Sequence, residues 1–201
     1  MRRTLYLFAV MMAGATAPAS AQLLIARRDT SATNPYGLLV HVSGLLDSPT
    51  WLDKLQNSFT IQMHWAVQLW RPGFIDRPQP KTEWDTEISA VPMLNQYVYT
   101  DRVANEPEDR HTVTTLDSLR AWLGTERQLR VPRTLPSGDW YYRVDVTISE
   151  LSQEQIDARS NGGTNDGSWL TDLAQKLVLG GGATQVLQSG KIRFTVPKAR
   201  P

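Results

Sequence analysis

Three histidines have the widest chemical range of all residues in this chain, since imidazole binds metals and transfers protons near neutral pH. They stand at His41, His64 and His111. Metal sites with histidine ligands generally place two of them within ~5 residues of each other, and no such pair is present. His64 is the one that could act as a ligand or base, because it falls on the polar face of a predicted strand, near Glu87. We expect it instead to be a half-exposed residue that hydrogen-bonds within a sheet.

Three carboxylates form a second candidate group. Glu83, Asp85 and Glu87 alternate along one predicted strand, which spaces neighbours about 7 Å apart on one face. Two acids at such a distance can hydrolyse a glycosidic bond. Rows of this kind are also common on the solvent face of an antiparallel sheet. We expect the second situation, a solvated sheet face.

The motifs of nucleophilic, metal and phosphate chemistry are missing from the sequence. It has no Gly-x-Ser-x-Gly, no His-Glu-x-x-His and no cysteine, which excludes thiol nucleophiles, cysteine-based zinc sites and disulfide bonds. The Gly180-Gly181-Gly182 run follows a predicted helix and lacks the Lys-Ser/Thr ending of a phosphate loop. We therefore interpret it as a helix stop or a hinge, and we predict no catalytic residue, no metal and no cofactor.

Charge excludes another class of partner. The 201 residues include 21 basic and 20 acidic side chains, for a net charge of +1. Binding to nucleic acid depends on neutralising phosphates with a clear excess of lysine and arginine. We therefore expect no nucleic-acid partner.

Residues 1–21 have the pattern of a secretory signal peptide. Two arginines precede an apolar run from Leu5 to Ala17, and Ala19 and Ala21 form an Ala-x-Ala cleavage site. The apolar run is shorter than the ~20 residues that span a bilayer. We predict export to the periplasm or to the outer face of the cytoplasmic membrane, with cleavage after Ala21. The alternative is an uncleaved anchor, which would bring residues 1–21 into contact with the membrane.

The remaining chain is predicted to be mainly β with short helices (α+β), built on an antiparallel sheet or a β-sandwich. Residues 22–36 lack apolar periodicity, which indicates a flexible N-terminal arm. Residues 37–197 are predicted to form a single β-rich domain, in which 150–182 is a helical insertion. Apolar and polar residues alternate in each predicted strand. The strands cover 38–42, 59–70, 83–90, 96–100, 140–148 and 191–196.

Short helices are predicted where capping residues precede apolar residues at helical spacing. Ser48 and Pro49 start the first helix, and Thr115 starts the second, which Gly124 ends. Two more are predicted inside the insertion. One of them begins at Ser152, and the other covers residues 168–179.

The strand 59–70 and the strand that follows it are predicted to pair as a hairpin across a Pro-rich loop at 71–80. Burial of both apolar faces requires odd positions of the first strand opposite even positions of the second. The expected register places Trp65 opposite Ile88. In this register the further neighbours are Gln68 with Asp85, and His64 with Ser89.

The segment Trp70–Arg77 is the candidate interaction surface. Aromatic residues and arginine are the types that anchor protein contacts, and the segment is expected to be exposed. Its candidate residues are Trp70, Arg71, Phe74, Ile75 and Arg77. The alternative is that Phe74 and Ile75 fold back over the sheet edge. The predicted helix 168–179 likewise has two interpretations, as part of the core or as a segment that docks on a partner or membrane.

The order of these elements resembles the bacterial exported family known as domain of unknown function 4390. The likeness covers residues 38–150. It is carried by Ser48–Leu55, the strand ending at Trp70-Arg71, Leu94–Val98, Thr115–Leu119 and Tyr142–Val146. The family usually continues with a Leu-Pro segment and a Trp-containing final strand, where this chain has the insertion. The resemblance implies an envelope protein of unassigned role and transfers no catalytic residue.

Together these patterns predict an exported envelope protein that is not an enzyme. Its expected role is that of a protein-binding or accessory subunit of an envelope or membrane-associated complex. It would meet its partner through a sheet edge or through Trp70–Arg77. The alternative is a small-ligand or lipid-binding periplasmic protein with a pocket lined by Trp65, Trp84 and Trp140.

The intact mass of the protein isolated from its own cell envelope checks the export prediction. We expect a chain that begins at Gln22, because cleavage after Ala21 removes the signal peptide. Loss of Arg2 and Arg3 leaves 19 basic and 20 acidic residues, a net charge of −1. An intact mass equal to that of the chain from Met1 would contradict cleavage and show that residues 1–21 are kept as an anchor.

Overall fold

The computed structural model describes residues 23–31, 36–103, 109–129, 135–151 and 183–198. Within these ranges the chain forms two antiparallel sheets and two short α-helices. The predicted α+β fold with an antiparallel sheet is confirmed. The described residues include no helix of the length and apolarity that a membrane span requires. Segment 1–21 and the two helices predicted within the insertion lie outside the described ranges.

Ten strands and two helices make up the described part of the chain. The strands are β1 (Leu23–Arg28), β2 (Leu38–Ser43), β3 (Thr60–Arg71), β4 (Arg77–Val91), β5 (Gln96–Val103), β6 (Asp109–Val113), β7 (Arg127–Leu129), β8 (Gly138–Leu151), β9 (Thr184–Gln188) and β10 (Ile192–Val196). The helices are α1 (Pro49–Gln56) and α2 (Leu116–Leu123). Of these strands, β1, β6, β7 and β9 show too little alternation to be predicted from the sequence.

The large sheet has seven strands in the order β10-β8-β3-β4-β5-β6, with β9 also paired to β8. The long strand β8 is central to this arrangement. Its one edge pairs with β3, and its other edge pairs with β10 at the beginning and with β9 further along. All pairings are antiparallel, and the three longest strands, β8, β3 and β4, lie side by side.

The small sheet has the order β1-β2-β7 and corrects the prediction of a flexible arm over residues 22–36. Residues 23–28 of that arm form β1, which pairs along its full length with β2. The sequence hides this strand because its stabilisation comes from backbone pairing with β2 and from only partial burial of Leu24 and Ala26. Asp29 is buried at 4 % exposure and accepts a hydrogen bond from the Ser31 backbone N–H at 2.8 Å and one from the Gln128 amide of β7.

Both helices begin where their capping residues predict. Pro49 is the first residue of α1, where its missing N–H breaks no helical hydrogen bond. Thr115 caps α2, because its Oγ1 accepts a hydrogen bond from the Ser118 N–H at 3.1 Å. Gly124 ends α2 as predicted, but its φ of −76° is one that any residue adopts. The stop therefore does not depend on a left-handed glycine.

One hydrophobic core is shared by both sheets and both helices. Alternate residues of β2, β3 and β8 contribute its centre, as the period-two pattern predicts. These residues are Leu38, Val40, Val42, Ile61, Met63, Trp65, Val144, Val146 and Ile148, all at 1 % exposure or less.

The predicted hairpin of β3 and β4 forms, but its expected register is wrong by four residues. Trp65 lies opposite Trp84, and Ile88 lies opposite Ile61. Odd positions still face even positions, as burial of both apolar faces requires. The shift arises because β4 begins at Arg77, so that the loop between the strands is shorter than the predicted 71–80. The neighbours also change. Gln68 lies opposite Lys81, and His64 lies opposite Asp85.

The first half of β4 is a strand although it contains Pro78 and Pro80. Residues 77–82 pair with β3 on one side, whereas pairing with β5 begins only at Trp84. No described strand pairs with the other edge of this half. Proline lacks the N–H that a second neighbour would need, so it is tolerated on such an edge. The Pro-rich composition that predicted a loop therefore fits an open strand edge equally well.

A polar network crosses the core from the small sheet to the large sheet. Nη1 of Arg127, in β7, lies 2.7 Å from Asp101 Oδ1 and 2.8 Å from Thr86 Oγ1. The Thr86 hydroxyl donates to Asp101 at 2.6 Å and accepts from the Trp65 indole N–H at 3.2 Å. Thr86 is fully buried. Each polar atom of this chain of contacts is thus satisfied, which a buried network requires.

Aromatic rings surround the guanidinium of this network. The Arg127 Cζ lies 4.6 Å from the centre of the Trp122 ring and 5.7 Å from that of Trp65. The Trp122 ring in turn stacks on Tyr99, with centroids 3.7 Å apart. The rings cover part of the ion pair, whose side chains are 20 % and 26 % exposed, and a charge above an indole face is attracted to it.

Replacement of Arg127 by methionine is expected to lower the free energy of unfolding by roughly 2 to 3 kcal/mol, because Asp101 then loses its charged partner in a mostly buried position. Urea unfolding followed by tryptophan fluorescence measures this loss. Arg27→Met is the matched control, since Arg27 binds Glu126 at 2.6 Å on the exposed side of the same sheet. Equal effects of the two substitutions would contradict the central role of Arg127.

Candidate contact site

The segment Trp70–Arg77, here called the contact loop, joins β3 to β4 and carries two apolar side chains at its tip. Phe74 is 104 % exposed and Ile75 is 76 % exposed. The alternative in which these two residues fold back over the sheet edge is therefore wrong. Two adjacent exposed apolar side chains form a small patch, and patches mark interaction sites more often than single exposed residues do.

One carboxylate holds the contact loop in place. Asp76 Oδ2 accepts a hydrogen bond from the Tyr141 hydroxyl at 2.6 Å and one from Lys191 Nζ at 3.2 Å. Its Oδ1 accepts from the Gly73 backbone N–H at 3.4 Å, which closes the loop on itself. Tyr141 belongs to β8, and Lys191 directly precedes β10. Residues next to the tip are thus fixed to two further strands of the large sheet.

The ionisation of the three groups agrees with this arrangement. The hydrogen bond from Tyr141 and then that from Lys191 lower the pKa of Asp76. The hydrogen bond to Asp76 raises the pKa of Tyr141 and that of Lys191. Asp76 is therefore ionised, Tyr141 neutral and Lys191 charged at neutral pH. Folding lowers the pKa of Asp76. The ionised carboxylate therefore contributes to the free energy of unfolding above about pH 4, and this contribution is lost as the pH falls further. Folding raises the pKa values of Tyr141 and Lys191. Their protonated forms therefore contribute to the free energy of unfolding below about pH 10, and this contribution is lost as the pH rises further.

The base of the contact loop packs on the sheet through the other candidate residues. The Trp70 ring stacks on Tyr141, with centroids 6.2 Å apart and planes 3° from parallel. The Arg71 guanidinium lies 5.7 Å from the centre of the Trp140 ring. Arg71 and Arg77 face each other across the last pair of the hairpin. The five predicted residues therefore divide into an exposed tip, Phe74 and Ile75, and a base formed by the other three.

The sequence did not identify Asp76, Tyr141 and Lys191 as residues of this site. Tyr141 lies 65 positions and Lys191 lies 115 positions from Asp76. No local pattern connects residues at such distances. The one signal was the single acidic residue beside the exposed tip, since an aspartate in a tight loop often accepts hydrogen bonds from backbone N–H groups.

His64 is buried, which corrects the expectation of a half-exposed residue. It is 8 % exposed, and its Nδ1 lies 2.8 Å from Asp85 Oδ1. Its Nε2 lies 4.0 Å from Glu83. The predicted neighbour Glu87 pairs instead with Arg102, at 3.3 Å. His64 therefore serves as a hydrogen-bonding residue of the sheet, as expected, but with Asp85 as its partner.

The acids of the carboxylate row are paired, and the three histidines lie on three different strands. Glu83 lies 3.7 Å from Lys81, so each acid of the row has a basic neighbour. His41 lies in β2 of the small sheet, whereas His111 lies in β6 and contacts Asp109 at 2.7 Å. Among the described residues there is no group of three or more metal-ligating side chains that could hold an ion.

The three tryptophans proposed to line a pocket do not come together. Trp65 and Trp84 stack with centroids 5.2 Å apart. Trp65 pairs with Val146 of β8, and Trp140 lies six positions before Val146 on that strand. A strand rises about 3.3 Å per residue, so Trp140 is roughly 20 Å from the other two. The ring pair is packed against Arg127 and contributes to the core.

No protein-family model matches this chain, and neither a curated protein nor a solved structure matches it. The resemblance to the domain of unknown function 4390 therefore stays a prediction.

Substitution of Asp76 by alanine is expected to increase amide hydrogen exchange across residues 72–76, because the loop loses its link to β8 and β10. The N–H of Gly73 should change most, since it is donated directly to Asp76. Exchange measured by mass spectrometry on peptides from this region reports the effect. Asp139→Ala is the control, because Asp139 accepts only a local cross-strand bond from Thr195, at 2.8 Å. Unchanged exchange in the Asp76 variant would show that the loop is held by other contacts.

Proposed function

We propose that this protein is an exported, non-catalytic accessory protein of a membrane-associated complex in the cell envelope, and that it makes contact through the contact loop. The observation that supports this best is the exposure of Phe74 and Ile75 on a loop that Asp76 holds in one conformation. A loop ordered before binding loses less conformational entropy when it binds. Apolar side chains on such a loop are therefore suited to recognition.

The pairing of the polar residues supports a non-catalytic role. A general base needs an accessible nitrogen or oxygen within reach of a substrate. His64 is buried against Asp85, and Glu87 is paired with Arg102. These side chains already serve the sheet, whereas the exposed residues of the contact loop are apolar or basic.

The position of β1 is compatible with export. Cleavage after Ala21 would remove no described strand, because β1 begins at Leu23. The full fold described above can therefore form in the mature chain. The predicted signal peptide and the resemblance to an exported family both favour this location.

Site-specific photo-crosslinking in intact cells tests the proposed function. A photoreactive amino acid at position 74 is expected to yield defined adducts with components of the envelope, because the tip touches them. The same amino acid at position 93 is the control, since Met93 is 97 % exposed at the turn between β4 and β5. Adducts that are absent at position 74, or equally abundant at position 93, would contradict contact through this loop.

A further inference from the structure

Basic residues collect around the contact loop, at one end of the large sheet. This end comprises residues 68–81, 138–143 and 191–196, which are joined by strand pairing. It contains six basic side chains and two acidic ones, a net charge of +4, and at its border Glu83 and Asp145 pair with Lys81 and Arg143. The basic residues are Arg71, Arg77, Lys81, Arg143, Lys191 and Arg193, and the acidic residues are Asp76 and Asp139.

The opposite end of the sheet has the reverse charge. It comprises α1 with its flanking residues (47–62), residues 87–99 and residues 148–151. Four acidic side chains and one basic one give this end a net charge of −3. They are Asp47, Asp53, Glu87, Glu150 and Lys54. Met93 and Leu94 stand there, 97 % and 64 % exposed. Both ends thus expose an apolar pair, but only the contact loop has basic surroundings.

The size of the tip decides which kind of partner fits it. Phe74 and Ile75 together expose on the order of 300 Å² of apolar surface. A stable protein interface buries about 1,200 to 2,000 Å² in total, which a projecting pair of side chains does not supply. Insertion into a bilayer needs no such area, because the side chains enter the region between headgroups and acyl chains.

Charge complements this geometry. Anionic lipids attract basic residues near the membrane surface, and each lysine or arginine adds to the affinity. Arg71 and Arg77 stand at the base of the tip, where they would lie at headgroup level once Phe74 and Ile75 are inserted. Trp70 stands beside them, and tryptophan is enriched at this depth of a membrane.

We propose that the contact loop binds an anionic lipid bilayer, with Phe74 and Ile75 inserted below the headgroups and the surrounding basic residues against lipid phosphates. This inference rests on the proposed function and names the membrane as the partner of the contact loop. The loop then holds the large sheet against the membrane by its basic end, and the acidic end faces away.

Binding to lipid vesicles tests the proposal. The protein is isolated from its own cell envelope, and its first residue is established by the intact mass. The probes are vesicles of phosphatidylglycerol and phosphatidylcholine in equal parts, and vesicles of phosphatidylcholine alone. The loop variant is Phe74→Ser with Ile75→Ser, and the matched control is Met93→Ser with Leu94→Ser. An N-terminal segment, if retained, contributes equally to every variant, so that differences between variants report on the loops.

We expect the loop variant to bind the anionic vesicles at least about tenfold more weakly than the unsubstituted protein, while the control variant binds like the unsubstituted protein. Arg77→Gln should weaken binding about fivefold on anionic vesicles and leave binding to phosphatidylcholine unchanged. Thermal unfolding of each variant confirms that the fold is intact, since all five positions are exposed.

Equal binding by the loop variant and the unsubstituted protein would overturn the proposal. Equal affinity of the unsubstituted protein for vesicles with and without phosphatidylglycerol would also overturn it. Cross-links from position 74 to proteins only, combined with no loop-dependent vesicle binding, would also overturn it and leave the proposed function standing. Absence of any adduct at position 74 would instead remove the proposed function itself.

Discussion

The two-sheet arrangement depends on the contact of Arg127 with Asp101 and Thr86. The small sheet has three short strands, which bury too little apolar surface to be stable alone. It is therefore fixed to the large sheet, by the shared core that contains Leu38, Val40 and Val42 and by Arg127 of β7, with hydrogen bonds of 2.7 and 2.8 Å. A charge in that position is tolerated only with its partner in place, so the network also limits how the sheets can be placed against each other. The aromatic rings of Trp65 and Trp122 complete the site by covering part of the guanidinium.

The contact loop uses the same principle at the surface. A single carboxylate, that of Asp76, collects donors from its own loop, from β8 and from the residue before β10. Because β8 is central to the large sheet, the position of the loop follows from the most stable part of the fold. The apolar tip can then remain fully exposed without a flexible segment beneath it.

The sequence predicts those features that depend on local patterns. Alternation identifies β3, β8 and β10, and capping residues identify the starts of α1 and α2. Burial alone requires odd positions of β3 to face even positions of β4. The register also depends on the length of the loop between the strands, and Pro78 and Pro80 concealed the start of β4. Strand β1 escaped prediction because pairing with β2 stabilises it more than its own burial does.

The candidate site shows the same division. The types of residue in Trp70–Arg77 mark it as a surface for recognition, and exposure of Phe74 and Ile75 agrees with that interpretation. The anchoring of the loop could not be predicted, since its partners lie 65 and 115 positions away. Charge polarity between the ends of the sheet is likewise invisible until the strands are paired.

The open edge of β4 has a consequence for solubility. Residues 77–82 lie beside the apolar tip and pair with β3 on one side only within the described chain. A free strand edge next to exposed apolar side chains is a common starting point for aggregation, because another copy can add a strand to it. Pro78 and Pro80 offer no N–H for such a ladder, and Lys81 adds a charge that repels an identical edge. Pro78, Pro80 and Lys81 would thus keep the protein from aggregating through this edge although the neighbouring tip is apolar and exposed.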